Sequence, residues 1–357
     1  MQVVIVGAGL IGATLAFQLG QQGVQVTVID AAGPASGATG RSFGWANASF
    51  YADDAHFRLR YESLHAYKRL AAASGGQDIR QIGCLCWEET GDAFDAQARD
   101  LTAMGYDVVQ VDQTEFAQLE PHIAAPKRAL YFKAEAAIEP VALTETLLAQ
   151  SNARLMFGCY VSGIAVKNGV VCGVRVPGGV LAADRVIVAS GTGSTAILND
   201  VDVALPMLDR PGVILKTKPV APILAHVLVA PGQEFRQLPD GSILAPTAAN
   251  HQRDDSSDLS ERLDQSADIA MERLRKLIPN VDLERAAVSL AQRPVPQDGL
   301  PVVGACGPSG LFTSVMHSGI TLAPLVAEIL CAEVLDQPLS NAQADLIAPY
   351  RPDRFQS

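Results

Sequence analysis

Apolar residues open the chain in a short unbroken run, Val3 to Val6, set between Gln2 and a glycine. Such a run predicts a buried strand over residues 2–6. Residues 10–22 follow with small side chains on one side, which predicts a helix packed on a sheet, and Gly23 ends it. A second apolar run over 24–29 closes at Asp30. Farther along, Leu59, Leu64, Tyr67 and Leu70 recur at helical spacing and predict a helix over 53–74. Strands are expected at 81–88, 108–111 and 185–189, and helices at 92–104, 114–119, 141–150 and 271–278. Asn168-Gly169 and Asp240-Gly241 each separate two short strand-like runs and mark hairpins. A strand at 311–315 and a helix opening near Gly319 complete the pattern.

These elements predict an α/β protein in which a Rossmann-type parallel sheet is interrupted twice by segments that form a mostly antiparallel sheet. The expected division places residues 1–80, 140–205 and 294–357 in one unit and 81–139 and 206–293 in the other. No internal repeat and no low-complexity tract is present.

Composition narrows the function. Hydrophobic residues make up 48 % of the 357 positions and charged residues 18 %, enough to bury a large core. A net charge of −11 argues against a nucleic-acid partner, because a phosphate backbone is met by a surplus of Lys and Arg. The first apolar run is too short for a signal peptide, and the most apolar stretch, 311–335, is broken by His317, Ser318, Gly319 and Pro324. No transmembrane segment is expected. The six cysteines contain no C-x-x-C pair, although Cys84 and Cys86 would share one face of a strand. A reduced cytoplasmic protein without a metal site is the expectation.

The chemistry begins at Gly7-Ala8-Gly9-Leu10-Ile11-Gly12, a G-x-G-x-x-G between a strand and a helix. Gly7 permits the tight turn, Gly9 lets a pyrophosphate approach the backbone, and Gly12 lets helix and strand pack closely. Asp30, eighteen residues beyond Gly12, stands where a carboxylate can bind both ribose hydroxyls. The segment from Ala35 to Ser42 is rich in glycine and small hydroxyl residues, so it can wrap a second phosphate and a ribityl chain, with Arg41 and Ser42 donating hydrogen bonds. An ordinary surface loop of Gly and Ser is the alternative reading. Ser190-Gly191-Thr192-Gly193-Ser194, after the 185–189 strand, would again let a nucleotide lie close to the backbone.

Near the C-terminus come Arg293-Pro294-x-x-x-Asp298-Gly299-x-Pro301 and, from Gly319, G-x-T-L-A-P. With the Gly7–Gly12 turn, the Ser36–Ser42 loop, Glu139-Pro140 and the Tyr350-to-Phe355 ending, their order resembles the D-amino-acid oxidase family of FAD enzymes, over nearly the whole chain. That family includes glycine and sarcosine oxidases and related amine, D-amino-acid and opine dehydrogenases. The resemblance implies that the first unit binds FAD and the second the substrate. It assigns Ala31, Thr39, Gly40, Val161, Ala189, Ser190, Gly191, His317, Ser318, Gly319, Ile320 and Thr321 to the cofactor beside the residues already named. The helix near Gly319 would aim its N–H groups at the flavin pyrimidine edge, with Thr321 adding a hydroxyl hydrogen bond.

Arg293 resembles the arginine that grips the substrate carboxylate in glycine oxidase, against the alternative of a structural arginine capping a turn. Arg236 lies where glycine oxidase places a tyrosine facing the substrate. Together with Arg293 it would recognise a second acidic or polar group, as in an opine, unless it is an exposed strand arginine. His251 would also reach the pocket, against the alternative of a solvated loop residue. His317 and Ser318 depart from the family's H-S-G-H-G, and Cys306 does not match the flavin-linking cysteine of sarcosine oxidases, so FAD is expected to be non-covalent.

The activity implied is oxidation of a small amine or amino acid (a D-amino acid, glycine or N-alkyl glycine, imino acid or opine). Hydride leaves for flavin N5, and the imine formed is hydrolysed. The electron acceptor would be oxygen, or a partner subunit or quinone if the chain is a dehydrogenase subunit of a hetero-oligomer. A flavin-binding subunit without turnover and a plain NAD dehydrogenase are the remaining alternatives.

Overall fold

The structure, a computed structural model, describes residues 1–249 and 262–356. Its first sheet has six strands in the order Val302–Ala305, Leu311–Val315, Arg185–Val188, Gln2–Val6, Gln25–Asp30 and Arg154–Phe157. All neighbours run parallel except the antiparallel pair at the Val302–Ala305 edge. Gln2–Val6 lies inside this sheet, so its apolar side chains are buried toward both faces. Val3 and Ile5 pack with the helices Leu10–Gln21, Pro140–Gln150 and Gly319–Val334. Val4 and Val6 pack instead with the three-stranded sheet Gly163–Lys167, Val170–Val176 and Gly179–Ala182.

Local sequence explains the boundaries. Asp53 caps the helix Asp54–Ser74 by accepting from the His56 N–H at 2.8 Å, and Gly75, at φ 93°, ends it. Pro140 occupies the first turn of Pro140–Gln150, where a missing N–H costs nothing. Asn168 and Gly169 have φ of 53° and 76°, which makes the expected two-residue hairpin turn.

The second sheet has eight strands in the order Arg285–Gln292, Pro211–Thr217, Ile243–Pro246, Gln233–Gln237, Val227–Ala230, Cys84–Cys86, Arg128–Phe132 and Val108–Asp112. Only the Val227–Ala230 and Cys84–Cys86 neighbours are parallel. Cys84 and Cys86 face one hydrophobic cluster and Leu85 another, the alternation a strand imposes. The helix Leu263–Leu277 covers the Leu85 side through Ala267, Ala270, Met271 and Leu274. That helix is longer than the periodicity of 271–278 indicated. Several strands, among them Arg128–Phe132, Arg154–Phe157, Pro211–Thr217 and Arg285–Gln292, have no counterpart in the sequence reading.

Among the described residues, no helix is long and apolar enough to cross a membrane, and no cluster of His, Cys, Asp and Glu is arranged to hold a metal ion.

Candidate cofactor and substrate cavity

A cavity of about 530 Å³ opens where the ends of the parallel strands meet the second sheet. Its walls are the Gly7–Ile11 turn, the loop from Ser36 to Trp45, residues 189–193, Arg293 with its neighbours, and residues 314–321. The size falls in the range of small-molecule and cofactor sites.

The glycine turn is held by contact. Gly7 has φ +113°, and a Cβ there would stand 2.4 Å from the Ala189 carbonyl oxygen. A Cβ on Gly12 would stand 2.0 Å from the Gly7 carbonyl oxygen. Gly7, Gly9, Leu10 and Ile11 line the cavity, whereas Ala8 and Gly12 lie behind it and give it shape. The helix Leu10–Gln21 starts with no side-chain cap and no acidic residue in its first turn. Its positive end faces the cavity with no acidic side chain of its own first turn beside it.

Asp30 and Ala31 line the same wall. The Asp30 carboxylate accepts from the N–H groups of Ala8 at 2.9 Å, Ala32 at 2.8 Å and Gly33 at 3.0 Å. Of roughly four lone-pair sites on a carboxylate, three are thus engaged by backbone. Asp30 thus holds the glycine turn and the residues after it, while still lining the cavity.

The loop that follows is also tied to itself. Thr39 Oγ1 accepts from the Leu10 N–H at 3.1 Å, Arg41 donates to the carbonyls of Ser36 and Gly37, and Ser42 Oγ accepts from the Gly44 N–H. Thr39, Arg41 and Ser42 line the cavity, but Gly40 does not. Gly40 packs under the loop, where a Cβ would meet the Ala35 carbonyl oxygen at 2.4 Å. Val161, Ala189, Ser190 and Gly191 form the neighbouring wall.

His317, Ser318, Gly319, Ile320 and Thr321 also line the cavity, with Gly319 packed near Ile11. The helix Gly319–Val334 likewise begins without a side-chain cap or an acidic residue in its first turn. Two helix N-termini thus face one space. The Thr321 hydroxyl accepts from the Asn47 N–H at 3.3 Å and lies 3.5 Å from the Trp45 carbonyl.

Arg60 is a site residue that the sequence reading missed. It is 4 % exposed and lines the cavity from the helix Asp54–Ser74. Its guanidinium donates to the Asn47 carbonyl at 3.0 Å, to Asn47 Oδ1 at 2.5 Å and to Ser318 Oγ at 2.6 Å. Burial lowers its pKa to about 10, while Glu135 and Tyr106 oppose the shift. The signal lay in the helix pattern, because Arg60 shares the apolar face of Phe57 and Leu64. Glu135, fully buried behind Trp45, was missed too, and its flanking alanines carry no signal. It accepts from Trp45 Nε1 at 2.9 Å, the Tyr106 hydroxyl at 2.9 Å and the Ala48 and Ser49 N–H groups. Burial raises its carboxyl above the usual range.

Arg293 lines the cavity, half-buried, with Nε donating to the Arg210 carbonyl at 3.2 Å and its stem packed against Gly212. Arg236 does not line it. It is 0 % exposed, and its guanidinium donates to the carbonyls of Phe43 and Ile138 and to the Glu139 carboxylate. Arg236 is neither a substrate ligand nor an exposed strand residue, because a buried guanidinium is stable only when its donors are met. His251 lies outside the described residues.

Cys306 is buried away from the cavity, and burial pushes its thiol up to about 12. Cys159 does reach the cavity, at the Asp30 end, where its N–H donates to the Asp30 carbonyl at 3.1 Å.

Comparison with known proteins places this geometry. The family profile DAO, described as FAD dependent oxidoreductase, matches residues 2–333. Glycine oxidase of Pseudomonas putida is 28 % identical, over 99 % of this chain and 98 % of that protein. D-amino acid dehydrogenase of Rhizobium rhizogenes is 25 % identical, over 98 % of this chain and all (100 %) of that protein. The solved glycine oxidase of Geobacillus kaustophilus superposes with a TM-score of 0.85 at 22 % identity, covering 99 % of each chain.

Proposed function

The chain belongs to the DAO family of FAD-dependent oxidoreductases, and from that premise we propose that it oxidises a small amine or amino acid with a non-covalently held FAD. The substrate class is a D-amino acid, glycine or an N-alkyl glycine, an imino acid or an opine. The observation that carries the reading is one cavity walled by Arg293 and by two helix N-termini with no acidic residue in their first turns.

The residues present fit FAD. The Gly9–Ile11 turn, whose Leu10 N–H is given to Thr39, sets its backbone close to a pyrophosphate, the remaining acceptor of Asp30 suits a ribose hydroxyl, and the Ser36–Ser42 loop covers the chain between them. In this reading residues 1–80, 140–205 and 294–357 bind the cofactor, and residues 81–139 and 206–293 complete the substrate side. No cysteine thiol stands ready for a flavin link: Cys306 is buried elsewhere and Cys159 sits by Asp30.

When bound, FAD supplies the oxidising power by accepting hydride from the carbon next to nitrogen, which leaves an imine for water to hydrolyse. Arg293 holds the substrate carboxylate by a planar bidentate contact and so fixes which carbon is presented. The first turn of Gly319–Val334, uncapped, favours negative charge that develops beside it. Arg60, hydrogen-bonded to Ser318 at the head of that helix, adds a full positive charge to the same wall.

The test is anaerobic titration of the purified yellow protein against amines of these classes. One or more should bleach the visible flavin band, and bleaching by none would overturn the reading. The Rhizobium rhizogenes relative favours a second version, in which electrons pass to a partner subunit or quinone. Hydrogen peroxide formed in air marks the oxidase, whereas reduction of an artificial acceptor without peroxide marks the dehydrogenase.

A further inference from the structure

The helix Gly319–Val334 carries Pro324 in its interior, one turn beyond Ile320. A helix carbonyl is normally met by the N–H four residues on, and proline has none, so the Ile320 carbonyl loses that donor. It is met from another helix instead: the Tyr67 hydroxyl donates to it across 253 positions. We propose that Tyr67 is a positioning residue for the flavin reaction, its hydroxyl standing in for the N–H that Pro324 lacks and so fixing the first turn of Gly319–Val334 at the cavity wall. This goes beyond the reading of an FAD-dependent amine oxidoreductase and rests on it.

Arg60, Ser63 and Tyr67 are spaced three and four residues apart on the helix Asp54–Ser74, so they share one face, and all three are buried. Arg60 donates to Ser318 Oγ at 2.6 Å and Ser63 Oγ to the Thr321 carbonyl at 2.7 Å. One face of one helix therefore holds Ser318, Ile320 and Thr321, all of which line the first cavity. The two carbonyl contacts are not equivalent. Leu325 has an N–H to offer the Thr321 carbonyl from within its own helix, whereas Pro324 has none for Ile320. The Ile320 carbonyl is the one that needs a donor from outside. Tyr67 suits that task, because burial raises its phenol far above the usual value and it keeps its proton.

The bond matters to the reaction through charge. An unmet carbonyl at Ile320 would add negative potential to the cavity wall and would leave the first turn free to tilt. Both effects oppose the negative charge that a flavin gains with hydride. With the hydroxyl in place, the carbonyl is neutralised and the N–H end of the helix sets the potential that the cavity feels. Tyr67 thus acts through the helix and touches neither cofactor nor substrate.

The experiment reads the reduction potential of the bound flavin, as the equilibrium constant for its reduction against a reference dye. It compares the parent holoenzyme with Tyr67→Phe, Pro324→Ala, the double variant and Ser74→Ala. Tyr67→Phe deletes only the hydroxyl and should lower the constant at least about threefold, the size of a helix-end effect. Pro324→Ala returns an N–H to Ile320, so on that background Tyr67→Phe should change the constant less than about twofold. Ser74→Ala removes a hydroxyl of the same helix that bonds the Leu70 carbonyl at 2.9 Å, and should leave the constant unchanged. Thermal melting establishes that each variant folds. Flavin lost from Tyr67→Phe and regained in the double variant supports the role equally, and flavin lost from both overturns it. A constant unchanged by Tyr67→Phe, lowered equally on both backgrounds, or lowered as much by Ser74→Ala overturns the role and leaves the oxidoreductase reading in place. A parent that takes up no FAD overturns that reading, and the role with it.

Discussion

Arg236 Nη1 lies 2.8 Å from Glu139 Oε1, with the arginine fully enclosed and Arg80 approaching the same carboxylate oxygen at 3.3 Å. The pair ties a strand of the eight-stranded sheet to the start of Pro140–Gln150, and through the Phe43 carbonyl to the cavity wall. Arg236→Met should therefore destabilise the protein by about 3 kcal/mol, the low end for a broken buried pair, because Glu139 keeps Arg80. Arg236→Lys should recover only part, since an ammonium cannot serve Phe43, Ile138 and Glu139 from a planar fork. Urea denaturation measures both. A loss under about 1 kcal/mol for Met would contradict the assignment.

Asp30→Asn replaces one of two accepting oxygens by a donor, against backbone N–H groups from Ala8, Ala32 and Gly33. At least one N–H then faces another donor. We expect a stability loss of about 1–2 kcal/mol and FAD affinity weakened about tenfold. Equilibrium dialysis of the apoprotein against FAD reads the second number.

His56 makes stability depend on acidity. Its pKa falls from 6.5 in the unfolded chain to about 3 in the fold, first through burial and then through Arg60, with Asp53 opposing. Between those values the unfolded state binds the extra proton, so stability rises with pH across the window and is fully present above it. Stability is lost as pH drops from 6.5 toward 3. His56→Leu should flatten that acid limb, so the melting temperature of the parent minus that of the variant should fall as pH drops from 7 to 4. Parallel curves would contradict it.

Non-covalent cofactor predicts that acid precipitation yields a colourless pellet and a yellow supernatant. Thiol titration of the native protein should report the exposed Cys172 first. Cys84, Cys86, Cys306 and Cys331 are buried, with burial raising each thiol, and should react only on unfolding. Flavin that stays with the pellet would show a covalent bond.

What the amino-acid order settled by itself was local. Gly7, Gly9 and Gly12 with Asp30 form one strand–turn–helix–strand unit, and Asp53, Pro140 and Asn168-Gly169 act within a few residues of themselves. Propensity, capping and turn geometry need no distant partner, which is why those features could be read from spacing. Arg236 and Arg60 were different. Arg236 meets Phe43 across 193 positions and Arg60 meets Ser318 across 258, and both are charged residues at buried positions. Periodicity tells which face of an element is inward, but not which acceptors wait there. The edge strand Arg285–Gln292 escaped for a related reason: largely exposed, it has no apolar alternation and exists through pairing with Pro211–Thr217. Only the closing of the chain brought Arg60, His317 and Ser318 around one border between two cavities, because hydrogen-bond partnership between distant segments is decided by topology rather than by residue type.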